Sequence, residues 1–198
     1  LSHEIRTPMN AIIGFSDLLL NESLSEDLKM KYLKIINSSG KSLVSIIEDL
    51  IEMSKIDAKL ITPNYKGLDI EKCIKELYNT LKVTIPEDKN IDFYINESTD
   101  KLENNILTDE VKLKQIIVNL LTNAIKFTDS GHVAFGYSIN KEEQLIEFRV
   151  EDTGIGISRN DLKVVFDRFR RVEDDYSISL SGLGLGLSIS KAYVEMLG

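Results

Sequence analysis

The chain opens with His3, Glu4 and Thr7 in the run His3-Glu4-Ile5-Arg6-Thr7-Pro8, residue types that suit a nucleophilic site. On a helix His3 and Thr7 are four residues apart and share a face one turn apart. A neutral imidazole is a competent nucleophile near neutral pH. Glu4 follows the histidine directly and can accept the proton from its other ring nitrogen. Pro8 has no N–H, so a helix running through it is expected to kink there. Taken alone, this run fits an amphipathic helix with a surface histidine equally well.

Three further groups of polar and glycine residues stand later in the chain. Asn119 and Asn123 lie at i and i+4 in the stretch Glu110–Phe127, where Ile116, Leu120 and Ile125 are expected to supply the buried side. Amide oxygens are hard neutral ligands suited to magnesium, which binds through few protein groups plus substrate phosphates. Asp152-Thr153-Gly154-Ile155-Gly156 follows a strand expected to end at Val150. A carboxylate there, with glycines allowing close backbone approach, can accept a hydrogen bond from an adenine amino group. In Ser181-Gly182-Leu183-Gly184-Leu185-Gly186-Leu187-Ser188 three glycines spaced by two lead into a helix. That pattern offers backbone N–H groups and a helix N-terminus to an anion. Each group alone is a weak signal.

The elements that must position these residues read as follows. Residues 1–20 form one helix with Ile5, Met9, Ile12, Phe15 and Leu19 near one stripe. Ser25 caps a second helix over about Glu26–Ile56. Its positions Tyr32, Ile36, Ser39, Leu43, Ile46, Leu50 and Met53 step alternately by four and three, a heptad seam. Such a hairpin has more apolar surface than one partner helix covers, which predicts dimerisation into a four-helix bundle. A linker with a short strand around Leu60–Tyr65 comes next, marked by Pro63, Asn64 and Gly67. Asp69 caps a helix carrying Ile70, Ile74, Leu77 and Leu81, and Ile91, Phe93 and Ile95 alternate as a strand does. A short strand at Ile106–Thr108 precedes the helix capped by Asp109, and Asp129-Ser130-Gly131 is a turn. Val133–Ile139 and Leu145–Val150 pair around Asn140-Lys141-Glu142-Glu143. A short helix near Arg159–Val165 and a final helix from about Gly184 complete the order.

With 198 residues there is room for two small domains with their own cores. The net charge of −8 argues against nucleic acid or an anionic membrane surface as a general partner. A single cysteine, Cys73, excludes an intramolecular disulfide and a cysteine-rich metal site, and fits a reducing compartment. Apolar runs are broken well before roughly 18 positions, so no membrane contact is expected of this segment. Because the chain starts inside the HExxTP run, it reads as a piece of a longer protein. Any membrane anchor would lie upstream of Leu1.

In this order and spacing the motifs resemble the catalytic core of the sensor histidine kinases. His3-Glu4-Ile5-Arg6-Thr7-Pro8 fills the phosphoacceptor pattern. The Asn119/Asn123 stretch resembles the family's asparagine box, and the two glycine stretches resemble its glycine boxes. Phe166-Asp167-Arg168-Phe169-Arg170-Arg171 resembles its phenylalanine box, and Arg168–Ser181 would be the lid over the nucleotide. The resemblance implies an all-α helical hairpin over residues 1–58, dimeric as a four-helix bundle. A linker at 59–68 would follow, then an α/β two-layer sandwich of the histidine-kinase and gyrase-like ATPase type over 69–198. The family normally continues with two further strands, so that last domain is expected to be incomplete.

For the chemistry, the resemblance implies ATP and magnesium as cofactors, with Asn123 and Asn119 toward the metal. Lys126 and Arg171 would contact phosphate, and Asp152 would hold adenine. Gly154, Gly156, Gly182, Gly184 and Gly186 would shape the pocket. His3 would attack the γ-phosphate with Glu4 as base, and Thr7 would serve a phosphatase activity. The implied partners are a second copy of the chain and a response-regulator receiver domain, and the implied location is cytoplasmic. Two other readings compete. A non-enzymatic nucleotide-sensing dimer is weighed against by intact His3, Glu4, Asn119, Asn123 and Asp152. A gyrase-like ATPase leaves the HExxTP hairpin unexplained.

In the related ATPases a glutamate four residues before the metal-binding asparagine is general base for water. Here that position is Asn119, whose neutral amide cannot take the proton. General-base assistance is worth about 10²–10⁴-fold, so its absence restrains hydrolysis. Asn119→Glu is therefore expected to raise phosphate release per bound ATP, measured with both chains carrying His3→Gln to silence autophosphorylation. A variant that binds ATP normally and hydrolyses it no faster would show that Asn119 does not restrain water.

Overall fold

The computed structural model describes residues 2–20, 23–96, 105–140, 142, 145–170 and 183–198. Its elements are α1 (Ser2–Leu19), α2 (Glu26–Asp57), β1 (Lys66–Leu68), α3 (Ile70–Lys82), β2 (Asn90–Asn96), β3 (Ile106–Thr108), α4 (Glu110–Phe127), β4 (Ser130–Asn140), β5 (Leu145–Asp152), a 3-10 turn (Asp161–Lys163) and α5 (Gly186–Leu197). They fall into two compact units, Leu1–Ile61 with Lys163–Ile189, and Thr62–Leu162 with Ser190–Gly198. No helix among the described residues is long and apolar enough to cross a membrane.

In the first unit α1 and α2 form a hairpin. Ser25 caps α2 by accepting from the Leu28 N–H at 3.4 Å, with Glu26 and Asp27 in the favourable first turn. The expected seam is real: Ile46 and Met53 are buried and Tyr32, Ile36, Ser39, Leu43 and Leu50 are half-buried. Phe15 of α1 meets Tyr32 of α2 with ring centroids 5.1 Å apart. On α1 the expected stripe holds at Ile5, Ile12, Phe15 and Leu19, but Met9 is exposed and Pro8 is the buried residue. A second row on α2, Met30, Leu33, Val44, Ile47 and Ile51, is exposed.

The second unit is a two-layer sandwich in which α3 and α4 cover one face of a mixed sheet. β4 is central, parallel to β2 and antiparallel to β5. Its inward residues Val133, Phe135 and Tyr137 are buried with Phe93 of β2 against Ile70, Ile74, Leu77, Leu113, Ile117 and Leu121. Stacked rings run through this core, Tyr78 on Phe93 at 5.2 Å and Phe93 on Phe135 at 5.6 Å. Asp69 caps α3 through the Lys72 N–H, as its position predicted.

Several boundaries differ from expectation. The strand expected at Leu60–Tyr65 stands instead at Lys66–Leu68, antiparallel to β3. Pro63 offers no N–H to a ladder, and the Asn64 N–H donates to the Asp109 carboxylate at 2.8 Å. The expected turn at Asp129–Gly131 is drawn into β4, because Ser130 and Gly131 pair with Asn90 and Ile91. β5 runs on to Asp152, which pairs with Val133. The helix expected near Arg159–Val165 shrinks to one 3-10 turn led by Ser158, whose hydroxyl accepts from the Asp161 N–H. α5 starts at Gly186 rather than Gly184, where φ is +68°. Of the loop Asn140-Lys141-Glu142-Glu143, Lys141 and Glu143 lie outside the described residues.

The two ends of α4 are held by groups from elsewhere in this unit. At its start Asp109, 5% exposed, accepts from the Lys112 and Asn64 N–H groups. At its end the Lys89 ammonium donates to the carbonyls of Ile125, Lys126 and Thr128 at 2.9, 2.7 and 2.9 Å.

Burial alone would raise the Asp109 carboxyl, but the N–H groups of Asn64, Lys112 and Val111 and the Lys112 charge outweigh it and hold it below the usual carboxylate range. Asp109→Ala removes a cap and strands the Asn64 N–H, so a loss of about 1–3 kcal/mol is expected in urea unfolding. A depressed carboxylate stabilises the fold above its unfolded value of about 3.9 and loses that effect as pH falls through the lower folded value. Variant and wild type should therefore differ at neutral pH and converge in acid.

Candidate functional site

His3 stands exposed in the first turn of α1. Thr7 lies one turn on, and its hydroxyl donates to the His3 carbonyl at 3.0 Å. That bond confirms the helical i, i+4 relation between the two residues. Glu4, next to the histidine, is half-buried.

α4 carries Asn119, Asn123 and Lys126, all half-buried, on the side away from Leu113, Ile117, Leu121 and Ala124. Of the three residues expected to bury this helix, Ile116 and Ile125 do so, whereas Leu120 is half-buried and Leu121 takes its place at 0% exposure. The Asn119 side-chain N–H donates to the Ser190 hydroxyl of α5 at 2.8 Å. This turns the Asn119 carbonyl oxygen away from Ser190. Ser190 is 5% exposed; α5 carries a second buried serine, Ser188, and nothing in the sequence marks which of the two meets Asn119. A hydroxyl both donates and accepts, so a carboxylate at position 119 would still find a partner there. The Lys126 ammonium sits 5.1 Å from the centre of the Phe127 ring.

Asp152 ends β5 with its carboxylate exposed, and one oxygen accepts from the Gly154 N–H at 2.9 Å. The loop is docked on the end of α4, since the Ile155 N–H donates to the Phe127 carbonyl at 3.2 Å. A Cβ on Gly154 would collide with that same carbonyl oxygen and lie 2.9 Å from the Asp152 carboxylate. The glycine is therefore required by close approach. Gly156, at φ +70°, faces open space.

In the third motif Leu183 and Leu185 are buried at 4% and 0% exposure and anchor the loop. Gly184 between them holds φ +68°, and a Cβ there would strike the Arg170 carbonyl. Gly186 is the first residue of α5. Gly182 and Arg171 lie outside the described residues. Arg168, in the run that resembles the phenylalanine box, is held by Asp57 in a two-pronged pair at 2.6 and 2.7 Å. Both side chains are about half exposed, so the pair adds little stability. Among the described residues no three His, Cys, Asp or Glu side chains gather as a metal site.

Comparison with known families fits both halves. The "His Kinase A (phospho-acceptor) domain" matches residues 1–59, and the "Histidine kinase-, DNA gyrase B-, and HSP90-like ATPase" matches residues 108–198. The chain belongs to the sensor histidine kinases. A curated relative, the "Aerobic respiration control sensor protein ArcB homolog" of Haemophilus influenzae, is 38% identical over 198 residues, covering all of this chain and 59% of that protein. The chain thus spans about three-fifths of that relative's length. Among solved structures, full-length ShkA in complex with AMPPNP superposes with a TM-score of 0.71 at 28% identity, over 99% of this chain and 40% of that one. The histidine kinase ThkA in complex with response regulator protein TrrA shares the fold, with a TM-score of 0.69 at 23% identity over 86% and 48% of the two chains.

In this histidine kinase core the ATPase half presents Asn119, Asn123 and Lys126 on α4, which is buried along its other face, and Asp152 at the end of β5. Gly154→Ala tests the close approach. Overpacking of this kind costs about 1–3 kcal/mol, so a lower thermal midpoint is expected, together with weaker binding of an ATP analogue. An unchanged midpoint would show that the loop gives way freely.

Proposed function

We propose that this chain binds ATP with magnesium and phosphorylates His3, for onward transfer to an aspartate of a response-regulator receiver domain. The observation that carries the reading is the presence, in one chain, of an exposed His3 in an intact HExxTP helix and of an ATPase fold with its asparagine and glycine motifs filled. In this reading residues 1–58 are the dimerisation and phosphotransfer hairpin, 59–68 the linker and 69–198 the catalytic domain. ATP as donor places the reaction in the cytoplasm.

Asp152 has an exposed carboxylate oxygen to accept from the adenine amino group, and the Gly154 N–H keeps the carboxylate oriented. Asn123 and Asn119 suit magnesium, because an amide oxygen adds no charge to a cation already shared with phosphate oxygens. Asn119 fits this role because its N–H is committed to Ser190 and its oxygen is the remaining polar atom. The metal would neutralise charge on the phosphates. Lys126 and Arg171 would add positive charge, and the motif of Gly182, Gly184 and Gly186, leading into α5, is of a kind that suits an anion. His3 then forms an N–P bond as the bond from γ-phosphorus to the bridging oxygen breaks, and ADP leaves. Glu4 takes the proton from the other ring nitrogen. Thr7 serves the reverse traffic by orienting water against a phosphorylated receiver, for which its hydroxyl must rotate from the His3 carbonyl.

A second copy of the chain completes the bundle. Met30, Leu33, Val44, Ile47 and Ile51 step along α2 at heptad intervals on a face left exposed in one chain. The exposed Ile13 of α1 adds to that apolar surface.

His3→Gln is expected to abolish the acid-labile, base-stable label taken from γ-labelled ATP while analogue affinity stays within about twofold, since His3 belongs to the phospho-acceptor domain match and Asn119, Asn123 and Asp152 to the ATPase match. Normal labelling of the variant would make another residue the acceptor.

A further inference from the structure

Lys89 belongs to none of the motifs described above, yet its ammonium makes three hydrogen bonds beside the proposed nucleotide residues. The turn Pro86-Glu87-Asp88-Lys89, closed by the Lys89 N–H on the Pro86 carbonyl at 3.1 Å, presents it to the end of α4. There its ammonium donates to the carbonyls of Ile125, Lys126 and Thr128. It also lies 3.3 Å from the exposed Asp129 carboxylate, and its own side chain is only 18% exposed. The next strand residue is tied to the same turn, the Asn90 N–H donating to the Asp129 carbonyl at 3.1 Å.

The last carbonyls of a helix have no helical N–H to meet and carry its negative pole. A cation with three donors satisfies both needs at once. The one carbonyl in this run that Lys89 does not take, that of Phe127, accepts from Ile155 and abuts Gly154. The path of the Asp152–Ile155 loop therefore depends on where the end of α4 is held. Lys126 shares that last turn, and Asn123 lies one turn before it.

We propose that Lys89 is a positioning residue of the nucleotide site: by gathering the carbonyls at the end of α4 it sets the register between that helix and the loop bearing Asp152 and Gly154. The inference rests on the reading of this domain as an ATP site. Without the ammonium three carbonyls lose their partner in a half-closed place, the last turn frays, and the Phe127 carbonyl shifts with the loop bound to it.

The test compares Lys89→Met, Lys89→Gln and Lys89→Arg in the whole chain, by calorimetric titration with a non-hydrolysable ATP analogue and by amide NMR without nucleotide. Lys89→Met is expected to weaken the analogue about tenfold, as loss of a supporting shell around a binding group does. The Gly154 and Ile155 amide resonances should move while those of Cys73 and Leu77 in α3 stay in place. A guanidinium offers several donors to the same carbonyls, so Lys89→Arg should recover most of the affinity. If Lys89→Met does not fold, Lys89→Gln carries the same expectations at reduced size. Wild-type affinity in the folded Met or Gln variant, or resonance changes spread evenly over α3 and the loop, would overturn the role of Lys89. A wild-type chain that bound no analogue would instead overturn the nucleotide reading, and this inference with it.

Discussion

The carbonyls at the end of α4 have to be satisfied away from their own helix, and much of the ATPase half follows from how that is done. Lys89 takes three of them and Ile155 a fourth. The first arrangement ties the β2 entrance to the helix. The second ties the strand end at Asp152 to it. At the opposite end Asp109 performs the matching task for N–H groups and reaches Asn64 as well. A helix held at both ends and buried along one face by Leu113, Ile117, Leu121 and Ala124 is a rigid support. Asn119 and Asn123 lie on its remaining side, where rigidity matters to a ligand that tolerates little displacement.

The hairpin is governed by a different constraint. α2 carries two apolar rows, and only one of them is buried or half-buried within the chain. The seam through Ile46 and Met53 is buried, while Val44, Ile47 and Ile51 remain exposed. Charged residues such as Glu48 and Lys41 flank these rows and keep the helix from being apolar all round. His3 is exposed in the first turn of α1, as the proposed role of an acceptor that meets first a nucleotide and then a receiver domain requires.

Glycines act in two distinct ways around the nucleotide motifs. Gly154 is needed because the Phe127 carbonyl occupies the place of a side chain. Gly184 is needed both for its left-handed backbone and for the nearness of the Arg170 carbonyl. The leucines between the glycines are as important, since Leu183 and Leu185 are buried and fix the loop. Arg168 is engaged by Asp57, and charge alone does not tell which partner a long side chain finds.

Local chemistry is what the sequence by itself determined. Ser25, Asp69 and Asp109 each receive the N–H three residues on, and the faces of α2 and α3 follow their periodicities, because caps and helical periods are set within a few residues. The family motifs were equally legible, since His3, Asn119, Asn123, Asp152 and Gly154 stand at fixed short spacings. Tertiary structure alone decided the rest. β1 formed at Lys66–Leu68 because β3 was there to pair with it, and β5 ran on to Asp152 because β4 extended beside it. Lys89 reaches carbonyls 36 to 39 residues away, and Asn119 meets Ser190 71 residues away. A bond closed across such distances leaves no period in the chain, because its geometry exists only after the core has brought the two segments together.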